Sequence, residues 1–225
     1  MMKLIIGNKN YSSWSLRPWV LMRELAIPFR EIITPFGRKN DHFLEFSPSG
    51  KVPCLVDGDI TVWDSLAITE YVGERHAGVW PAEARARAWA RSAACEMHSG
   101  FMALRNTCGM NCGVRIRLHE VSAALTRDVQ RLERLWAEGL AKFGGPFLTG
   151  SSFCAADAFF APVAFRIQTY DAPFGADARR YAAQLLALPS MQGWYAAALA
   201  ETWRDDEHEE ELRAVGTFHQ DLRAV

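Results

Sequence analysis

The strand-like patterns that we identify in this chain of 225 residues all lie before residue 64, and the later periodic segments that we identify have helical spacing. In the early part, short runs of strand-forming residues alternate with segments whose apolar residues recur at helical spacing. The strand runs cover residues 3–7, 29–34, 54–56 and 60–63, and the helical runs cover residues 17–25 and 66–75. The last two strands are joined by Asp57-Gly58-Asp59, a tight hairpin signal. This order predicts an α/β domain over residues 1–78.

From residue 84 onward, apolar residues recur every three or four positions, which predicts amphipathic or buried helices. The predicted helices cover residues 89–104, 125–143, 155–170, 179–187 and 191–201. No later segment is predicted as a strand. We therefore expect an all-α domain over residues 84–225, following the α/β domain.

Charge and hydropathy exclude several classes of function. The formal net charge is -1, so nothing indicates a surface for nucleic acid or anionic lipid. Asp157 interrupts the longest apolar run, which is too short to span a bilayer. The apolar run in the first strand is too short to be the apolar core of a signal peptide. We expect a cytoplasmic protein that binds neither nucleic acid nor membranes.

The potential metal ligands are not arranged as in known metal sites. The chain has five cysteines at irregular spacing, which indicates reduced thiols. Cys108 and Cys112 lie one helical turn apart, but no second ligand pair follows them. His208 lies within DDEHEEE, residues 205–211, where adjacent charges point in all directions and indicate a solvated helix end. No metal site is predicted.

Three local patterns in the α/β domain are suited to binding a small charged molecule. The stretch YSSWSLRPW places three serines between a strand and a helix, Val52-Pro53 precedes the third strand, and Asp64-Ser65 precedes the last helix. A helix start attracts carboxylates, and Asp64 can hold an ammonium group. Taken singly, each pattern favours a simpler explanation: helix caps at the serines and at Ser65, and an ordinary trans proline.

Together and in this order, the three patterns resemble the cytosolic glutathione transferases, and the resemblance covers the whole chain. GKVPCLVDGDITVWDSLAITEYV is similar to the glutathione-binding block of that family. The resemblance implies a thioredoxin-like N-terminal domain, a helical C-terminal domain and glutathione as co-substrate. It also implies that Val52 contacts the cysteinyl backbone of glutathione and that the bond to Pro53 is cis. Asp64 and Ser65 would hold the γ-glutamyl end, and Lys51 would reach a glutathione carboxylate.

The serine stretch is similar to the SSCSxR segment of the zeta class, the maleylacetoacetate isomerases. Aligning Arg17 with the arginine of that segment matches Ser12 to its first serine and Trp14 to its cysteine. The resemblance implies that Ser12 activates the thiol and that Trp14 lies at the glutathione site. Ser13 is an alternative or an assistant to Ser12, and Ser15 is the expected helix N-cap. Because an indole cannot replace the zeta cysteine, the serine stretch resembles more a bacterial serine-type group close to the zeta class. EMHSGFMALRN, at residues 96–106, also looks characteristic of that group.

The resulting prediction is a homodimeric glutathione transferase that detoxifies apolar electrophiles by adding the glutathione thiolate to them. The sequence shows no base next to Ser12 and no G-x-S-x-G elbow, so the serine is expected to stabilise the thiolate and not to act as a nucleophile. The alternatives are a glutathione-dependent isomerase of the maleylacetoacetate type and a non-catalytic protein that carries glutathione or another ligand. The candidates for the second-substrate pocket are Trp14, Trp89, Met97, Phe101, Met102, Arg105 and Met110.

The buried helix that begins near residue 155 departs from the family pattern at its start. The family usually has Ser or Thr three residues before the aspartate, and this chain has Cys154 three residues before Asp157. We expect Asp157 to accept the backbone N–H of Cys154. Because a thiol is a weak hydrogen-bond acceptor, the substitution Cys154→Ser is expected to stabilise the protein.

Overall fold

A four-stranded mixed sheet forms the centre of the N-terminal part in the computed structural model, which describes residues 1–37 and 41–223. Its elements are β1 (Met2–Ile6), α1 (Ser13–Glu24), β2 (Phe29–Ile33), a short 3-10 helix (Asp41–Glu45), β3 (Cys54–Asp57), β4 (Ile60–Trp63) and α2 (Ser65–Gly73). The strand order is β2-β1-β3-β4, with β1 parallel to β2 and the other pairs antiparallel. This confirms the predicted thioredoxin-like N-terminal domain.

The hairpin between β3 and β4 forms where the sequence predicts it. Gly58 has a φ of +63°, a conformation that glycine adopts without steric cost. The pairing places Leu55 opposite Val62 and opposite Leu4 of β1. Leu4 and Leu55 are fully buried, so the apolar face of the sheet fixes the register of its strands.

Helices dominate the remainder of the chain. They are α3 (Ala84–Ser99), α4 (Met102–Thr107), α5 (Ala123–Phe143), α6 (Ala155–Thr169), α7 (Ala176–Leu186), α8 (Pro189–Ala200) and α9 (Asp206–Val215). The α6 helix is buried along nearly its whole length and packs against α1, α3 and α7. Its apolar, unpatterned sequence is explained by this central position, because every face of the helix contacts protein. None of the helices in the described residues is long and apolar enough to cross a membrane.

The helical part also contains a two-stranded antiparallel sheet that the sequence analysis did not predict. Its strands are β5 (Val114–Leu118) and β6 (Gly216–Asp221). The expectation that only helices follow residue 84 was therefore wrong in this detail. The signal was present in β5, where VRIRL alternates buried and more exposed residues. The partner strand, GTFHQD, has no such alternation and is a strand because it pairs with β5.

Two predicted helix boundaries were wrong for local reasons. The run predicted over residues 89–104 is divided into α3 and α4 because Phe101 adopts a left-handed backbone conformation with φ +60°. Ser15 is not the N-cap of α1: the helix begins at Ser13, and Ser12 occupies the N-cap position. Pro18 lies inside this helix. The hydroxyl of Ser15 bonds instead to the end of β1, accepting the N–H of Gly7 at 3.3 Å.

Candidate functional site

The residues predicted to bind glutathione line one cavity of about 400 Å³ at the edge of the sheet. They are Trp14, Lys51, Val52, Pro53, Asp64 and Ser65. A second cavity, of about 470 Å³, lies between the α/β part and the helices and shares Trp14, Lys51 and Val52 with the first. We call the first the sheet-edge cavity and the second the interdomain cavity. The two cavities are adjacent, because these three residues line both, and we call them together the cleft.

The segment before β3 forms one wall of the sheet-edge cavity. The Val52–Pro53 peptide bond is cis, as the resemblance implied. Pro53 is buried, whereas Val52 is half-buried and Lys51 is exposed. The wall therefore offers the Val52 backbone and a solvated ammonium group to a ligand in the cavity.

Asp64, and not Ser65, is the N-cap of α2. Asp64 Oδ1 accepts the N–H of Leu66 at 2.7 Å, and Ser65 is the first helical residue. The backbone of Asp64 has φ +75°, a region that asparagine and aspartate occupy more readily than most residues. Asp64 Oδ2 lies 3.4 Å from Nε2 of His98, and the Asp64 side chain remains 45 % exposed. The carboxylate thus both caps the helix and faces the cavity.

The three serines have different surroundings. Ser12 and Ser13 line the interdomain cavity, whereas Ser15 is fully buried. Ser12 Oγ donates to Ser15 Oγ at 2.7 Å, and Ser15 Oγ also accepts the Gly7 N–H. Ser15 is therefore a supporting residue behind Ser12, and Ser12 and Ser13 are the two hydroxyls that a ligand can reach.

A fully buried arginine that the sequence analysis used only for alignment lies behind the cleft. The Arg17 guanidinium is 4.1 Å from the ring centroid of Trp14 and 4.9 Å from that of Phe159. Its Nε and Nη2 have no hydrogen-bond partner among the described residues. Burial lowers the pKa of Arg17, and the nearby charges of Arg105 and Arg166 lower it further. This group of arginines favours an anionic ligand in the cleft.

Four of the seven candidates for the second-substrate pocket line the interdomain cavity: Trp14, Met102, Arg105 and Met110. The other three do not line it. Met97 and Phe101 are core residues, and Trp89 packs on Phe143 at the far end of α3. Helical spacing could not separate these groups, because it identifies the apolar positions of a helix but not whether each borders a cavity or packs against a neighbouring element.

Arg105 is anchored within the cavity wall. It donates to the carbonyls of Gly100, at 3.0 Å, and of Met97. Its guanidinium also lies 4.7 Å from the ring centroid of Trp14. Burial and the charge of Arg166 lower the pKa of Arg105 to about 10. Arg105 is therefore a fixed cation beside Trp14 and not a mobile surface side chain.

A second wall of the interdomain cavity comes from α9, which the sequence analysis did not connect with the site. His208 stacks on Tyr11, with ring centroids 5.0 Å apart, and on Phe36, with centroids 5.3 Å apart. All three side chains line the cavity. His208 Nδ1 lies 2.6 Å from Asp205 Oδ2.

The prediction that residues 205–211 form a solvated helix end was wrong for Asp205 and Glu209, which are buried. Glu209 accepts the Tyr11 hydroxyl at 2.7 Å and forms an ion pair with Arg223, which also pairs with Asp221. Burial raises the pKa of Glu209, but the hydrogen bonds from Arg223 and Tyr11 outweigh it and hold this pKa below its ordinary value. These contacts fasten the C-terminal segment to the loop that carries Ser12.

A larger cavity of about 740 Å³ lies between α5 and α7, with Trp136, Leu140 and Tyr181 among its lining residues. None of the predicted site residues lines it. Within residues 1–37 and 41–223, no group of three His, Cys, Asp or Glu side chains is arranged to hold a metal ion. The chemistry that the sequence predicts is therefore concentrated in the cleft.

Comparison with known sequences gives matches centred on the N-terminal part. Residues 11–75 match the model of the glutathione S-transferase N-terminal domain. A dichloromethane dehalogenase of Methylorubrum extorquens is 42% identical over 65 residues, which cover 26% of this chain and 23% of that protein. Glutathione S-transferase Z1 of Arabidopsis thaliana is 32% identical over 127 residues, covering 53% of this chain and 56% of that protein. The chain thus aligns with about a quarter of the first relative's length and just over half of the second's.

Solved structures match over nearly the whole chain. A glutathione transferase homologue from Burkholderia GL BGR1, with bound glutathione, has a TM-score of 0.64 at 23% identity, covering 88% of this chain and 97% of that one. The Tau class glutathione S-transferase of mango, Mangifera indica, has a TM-score of 0.66 at 20% identity, covering 95% and 96%. At these identities the likeness establishes the fold. Residues 11–75 thus match the N-terminal domain of the glutathione S-transferases, and the two parts together have the glutathione transferase fold.

Proposed function

We propose that the protein is a glutathione transferase, which ionises glutathione in the sheet-edge cavity and adds the thiolate to an electrophile in the interdomain cavity. The observation that carries this proposal is that the two cavities are adjacent and share Trp14, Lys51 and Val52. All six residues predicted to bind glutathione line one cavity, and that cavity joins the one lined by Ser12 and Ser13. The glutathione bound in the Burkholderia homologue supports the same ligand for this chain.

Each part of glutathione has a chemically suited partner. The half-buried Val52 presents its backbone to the cysteinyl unit, and the exposed Lys51 pairs with a carboxylate. Asp64 Oδ2, the oxygen that does not cap the helix, accepts the γ-glutamyl ammonium group, and the start of α2 at Ser65 binds the adjacent carboxylate. Trp14 separates the tripeptide from the second substrate, because it lines both cavities.

Thiol activation is assigned to Ser12, with Ser15 as its support. Hydroxyl hydrogens rotate freely, so Ser12 can turn its hydrogen to a bound thiolate while Ser15 donates to Ser12. The Gly7 N–H, at 3.3 Å, holds the far end of this chain of hydrogen bonds. A hydrogen bond to a charged group contributes roughly 1.5–3 kcal/mol, which lowers the thiol pKa by about one to two pH units. The α1 N-terminus favours the anion as well.

The second substrate is an electrophile with apolar bulk. Met102, Met110 and Phe36 offer apolar surface in the interdomain cavity, and Arg105 offers a fixed positive charge. A pocket of mainly apolar lining with a few polar groups is typical of small-molecule sites. The charge at Arg105 favours an electrophile with a partial or full negative charge near the reacting carbon.

The proposal includes the biological setting. The change from sheet to helices between α2 and α3 supports a domain division into residues 1–78 and 84–225. A cytoplasmic homodimer, a role in detoxification and membership of a bacterial serine-type group near the zeta class rest on the sequence resemblance alone. Sedimentation analysis of the purified protein tests the dimer directly.

A calorimetric titration with glutathione, followed by an ultraviolet titration of the bound thiol against pH, tests the proposal. We expect binding and a bound-thiol pKa well below that of a free thiol, about 8.5. Conjugation of glutathione to chlorodinitrobenzene should then be measurable above the uncatalysed rate. Binding without a lowered thiol pKa would indicate a carrier, and turnover of a cis-enedione acid would indicate an isomerase. Absence of glutathione binding would refute the transferase, the isomerase and the glutathione carrier.

A further inference from the structure

A carboxylate–imidazole pair on the first turn of α9 faces the interdomain cavity. Asp205 Oδ2 lies 2.6 Å from His208 Nδ1 and also accepts the backbone N–H of His208 at 3.2 Å. Asp205 is 9% exposed, so its carboxylate is largely withdrawn from water. The His208 side chain is 34% exposed and lines the same cavity as Ser12 and Ser13.

The His208 ring is held in place from both sides. Its plane lies within 29° of the Tyr11 ring and within 25° of the Phe36 ring. The helix beneath it is fastened to the same loop, because Tyr11 donates to Glu209 at 2.7 Å and Arg223 pairs with Glu209. Since Tyr11 directly precedes Ser12, the imidazole has a fixed position relative to the serine.

The partner of Nδ1 determines which nitrogen is free. A carboxylate accepts only, so Nδ1 carries the proton and Nε2 presents its lone pair. The carboxylate also stabilises the imidazolium that forms when Nε2 takes a proton. A serine hydroxyl stabilises a thiolate, but it does not take up the thiol proton. An imidazole in the same cavity is suited to that task.

We propose that His208, oriented by Asp205, is a catalytic residue that takes the thiol proton of glutathione and returns it to the electrophile. This inference rests on the proposed function and names its substrate class, an activated alkene conjugated to a carbonyl group. The S–H bond breaks, its electron pair stays on sulfur, and the proton goes to His208 Nε2. The thiolate then forms a C–S bond to the β-carbon as the alkene π pair moves towards the carbonyl. The imidazolium gives its proton to the α-carbon, so no other reactant is consumed.

The other charged or titratable groups near His208 are poorly suited to this role. Burial raises the pKa of the Tyr11 phenol, so it stays protonated. Glu209 is held by Arg223 and Tyr11, and Glu211 is an exposed carboxylate on the same helix. His98 also lines the cavity, but its Nε2 lies 3.4 Å from Asp64 Oδ2, and burial lowers its pKa, which makes it a weaker base. The remaining charged residues that line the cavity are cations: Lys51, Arg105 and Arg166.

The test uses kcat/KM for the addition of glutathione to benzylideneacetone by the full-length protein. His208→Ala removes the imidazole and leaves a space, whereas His208→Phe fills the place between Tyr11 and Phe36 without a base. We expect both variants to lose about 100- to 10,000-fold in kcat/KM while their Kd for glutathione stays unchanged. Imidazole added to the buffer should restore activity to His208→Ala but not to His208→Phe. The matched control is His219→Ala, because His219 is exposed on β6, and it should retain wild-type kcat/KM.

Three results would overturn the inference: wild-type kcat/KM in both variants, a loss that imidazole does not restore, or equal restoration by pyrazole, which has the same shape but is hardly basic. The last result would assign His208 a packing role.

If circular dichroism shows that the His208 variants do not fold, Asp205→Asn decides the question, since asparagine still caps α9. Its kcat/KM should fall, and an unchanged value would overturn the inference. A wild-type protein that binds glutathione but adds it to no electrophile would refute the proposed function and this inference together.

Discussion

The Ser12 hydroxyl donates a hydrogen bond to the Ser15 hydroxyl at 2.7 Å, and Ser15 is fully buried behind it. Ser15 also accepts the Gly7 backbone N–H, so the two serines link the end of β1 to the interdomain cavity. Ser13 lines the cavity beside Ser12. The three serines of YSSWSLRPW thus divide into two that a substrate can reach and one that positions its neighbour.

Ser12→Ala should raise the pKa of the bound glutathione thiol by about one to two pH units, because the thiolate loses a hydrogen bond worth roughly 1.5–3 kcal/mol. Ultraviolet titration of the bound thiol measures this pKa. Ser13→Ala is the matched control and should leave the pKa unchanged. The reverse result, a raised pKa in Ser13→Ala alone, would transfer thiol activation to Ser13.

Ser15→Ala should raise the same pKa by a smaller amount and also destabilise the protein. The substitution leaves the Gly7 N–H without its acceptor, which costs about 1–3 kcal/mol when the group is buried. Urea unfolding measures the stability, and the thiol titration measures the pKa. A normal thiol pKa in a destabilised Ser15→Ala protein would show that Ser15 supports the fold and not the thiolate.

Asp64→Asn should weaken glutathione binding without unfolding α2. Asparagine caps helices and tolerates the positive φ of this position, but it lacks the charge that holds the γ-glutamyl ammonium group. Loss of about 1.5–3 kcal/mol corresponds to a Kd about 10 to 100 times higher by calorimetry. Asp64→Ala should also lower the unfolding free energy by about 0.5–2 kcal/mol. Asp59→Asn, on the exposed hairpin turn, should alter neither, and an unchanged Kd in Asp64→Asn would refute the assignment.

Glu209→Gln should destabilise the protein by about 1.5–3 kcal/mol at neutral pH, because Arg223 and Tyr11 lose a charged partner. The pKa of Glu209 is held below its ordinary value in the folded state, so its contribution is complete above the unfolded pKa of about 4.3. That contribution is lost as the pH falls through the folded pKa. In thermal unfolding, the gap between wild type and Glu209→Gln should therefore close at acidic pH.

The control for that experiment is Glu210→Gln, since Glu210 is exposed on the same helix. Its stability should follow the wild-type curve at every pH. A constant gap between wild type and Glu209→Gln down to the lowest pH tested would contradict the assignment to the ionised Glu209 carboxylate.

Cys154→Ser should raise the unfolding free energy by about 0.5–2 kcal/mol, because a hydroxyl is a better N-cap acceptor than a thiol. Asp157 Oδ2 accepts the Cys154 N–H at 3.0 Å, as the sequence predicted, and the Cys154 thiol accepts the Asp157 N–H, so a capping box is already present and serine would strengthen its weaker half. Burial raises the pKa of the Cys154 thiol to about 12, which keeps it neutral. Cys154→Ala is the control and should be less stable than Cys154→Ser. A melting temperature of Cys154→Ser at or below wild type would contradict the prediction.

Local patterns were sufficient for much of the fold. The alternation in the strands, the turn at Gly58 and the helical spacing of α5 and α6 each depend on residues close together in the chain, so the sequence alone predicts them. The resemblance to the glutathione transferases, and not local pattern alone, grouped Lys51, Val52, Pro53, Asp64 and Ser65, which line the sheet-edge cavity together. The sequence analysis placed the N-cap of α2 at Ser65, whereas the structure has it at Asp64. This difference was missed because it depends on one backbone angle, the φ of Asp64.

The sequence by itself determined the two-part architecture, because propensity, periodicity and turn chemistry are local properties. The candidate residues for glutathione came from the resemblance to the glutathione transferases. Only the tertiary structure decided that Ser15 lies behind Ser12 and that the acidic helix α9 forms one wall of the interdomain cavity. Tyr11 and Glu209 are 198 positions apart, and no local pattern encodes their hydrogen bond. His208 therefore reads in the sequence as a residue of a solvated helix end. It becomes a candidate base only when the fold brings α9 against the loop that carries Ser12.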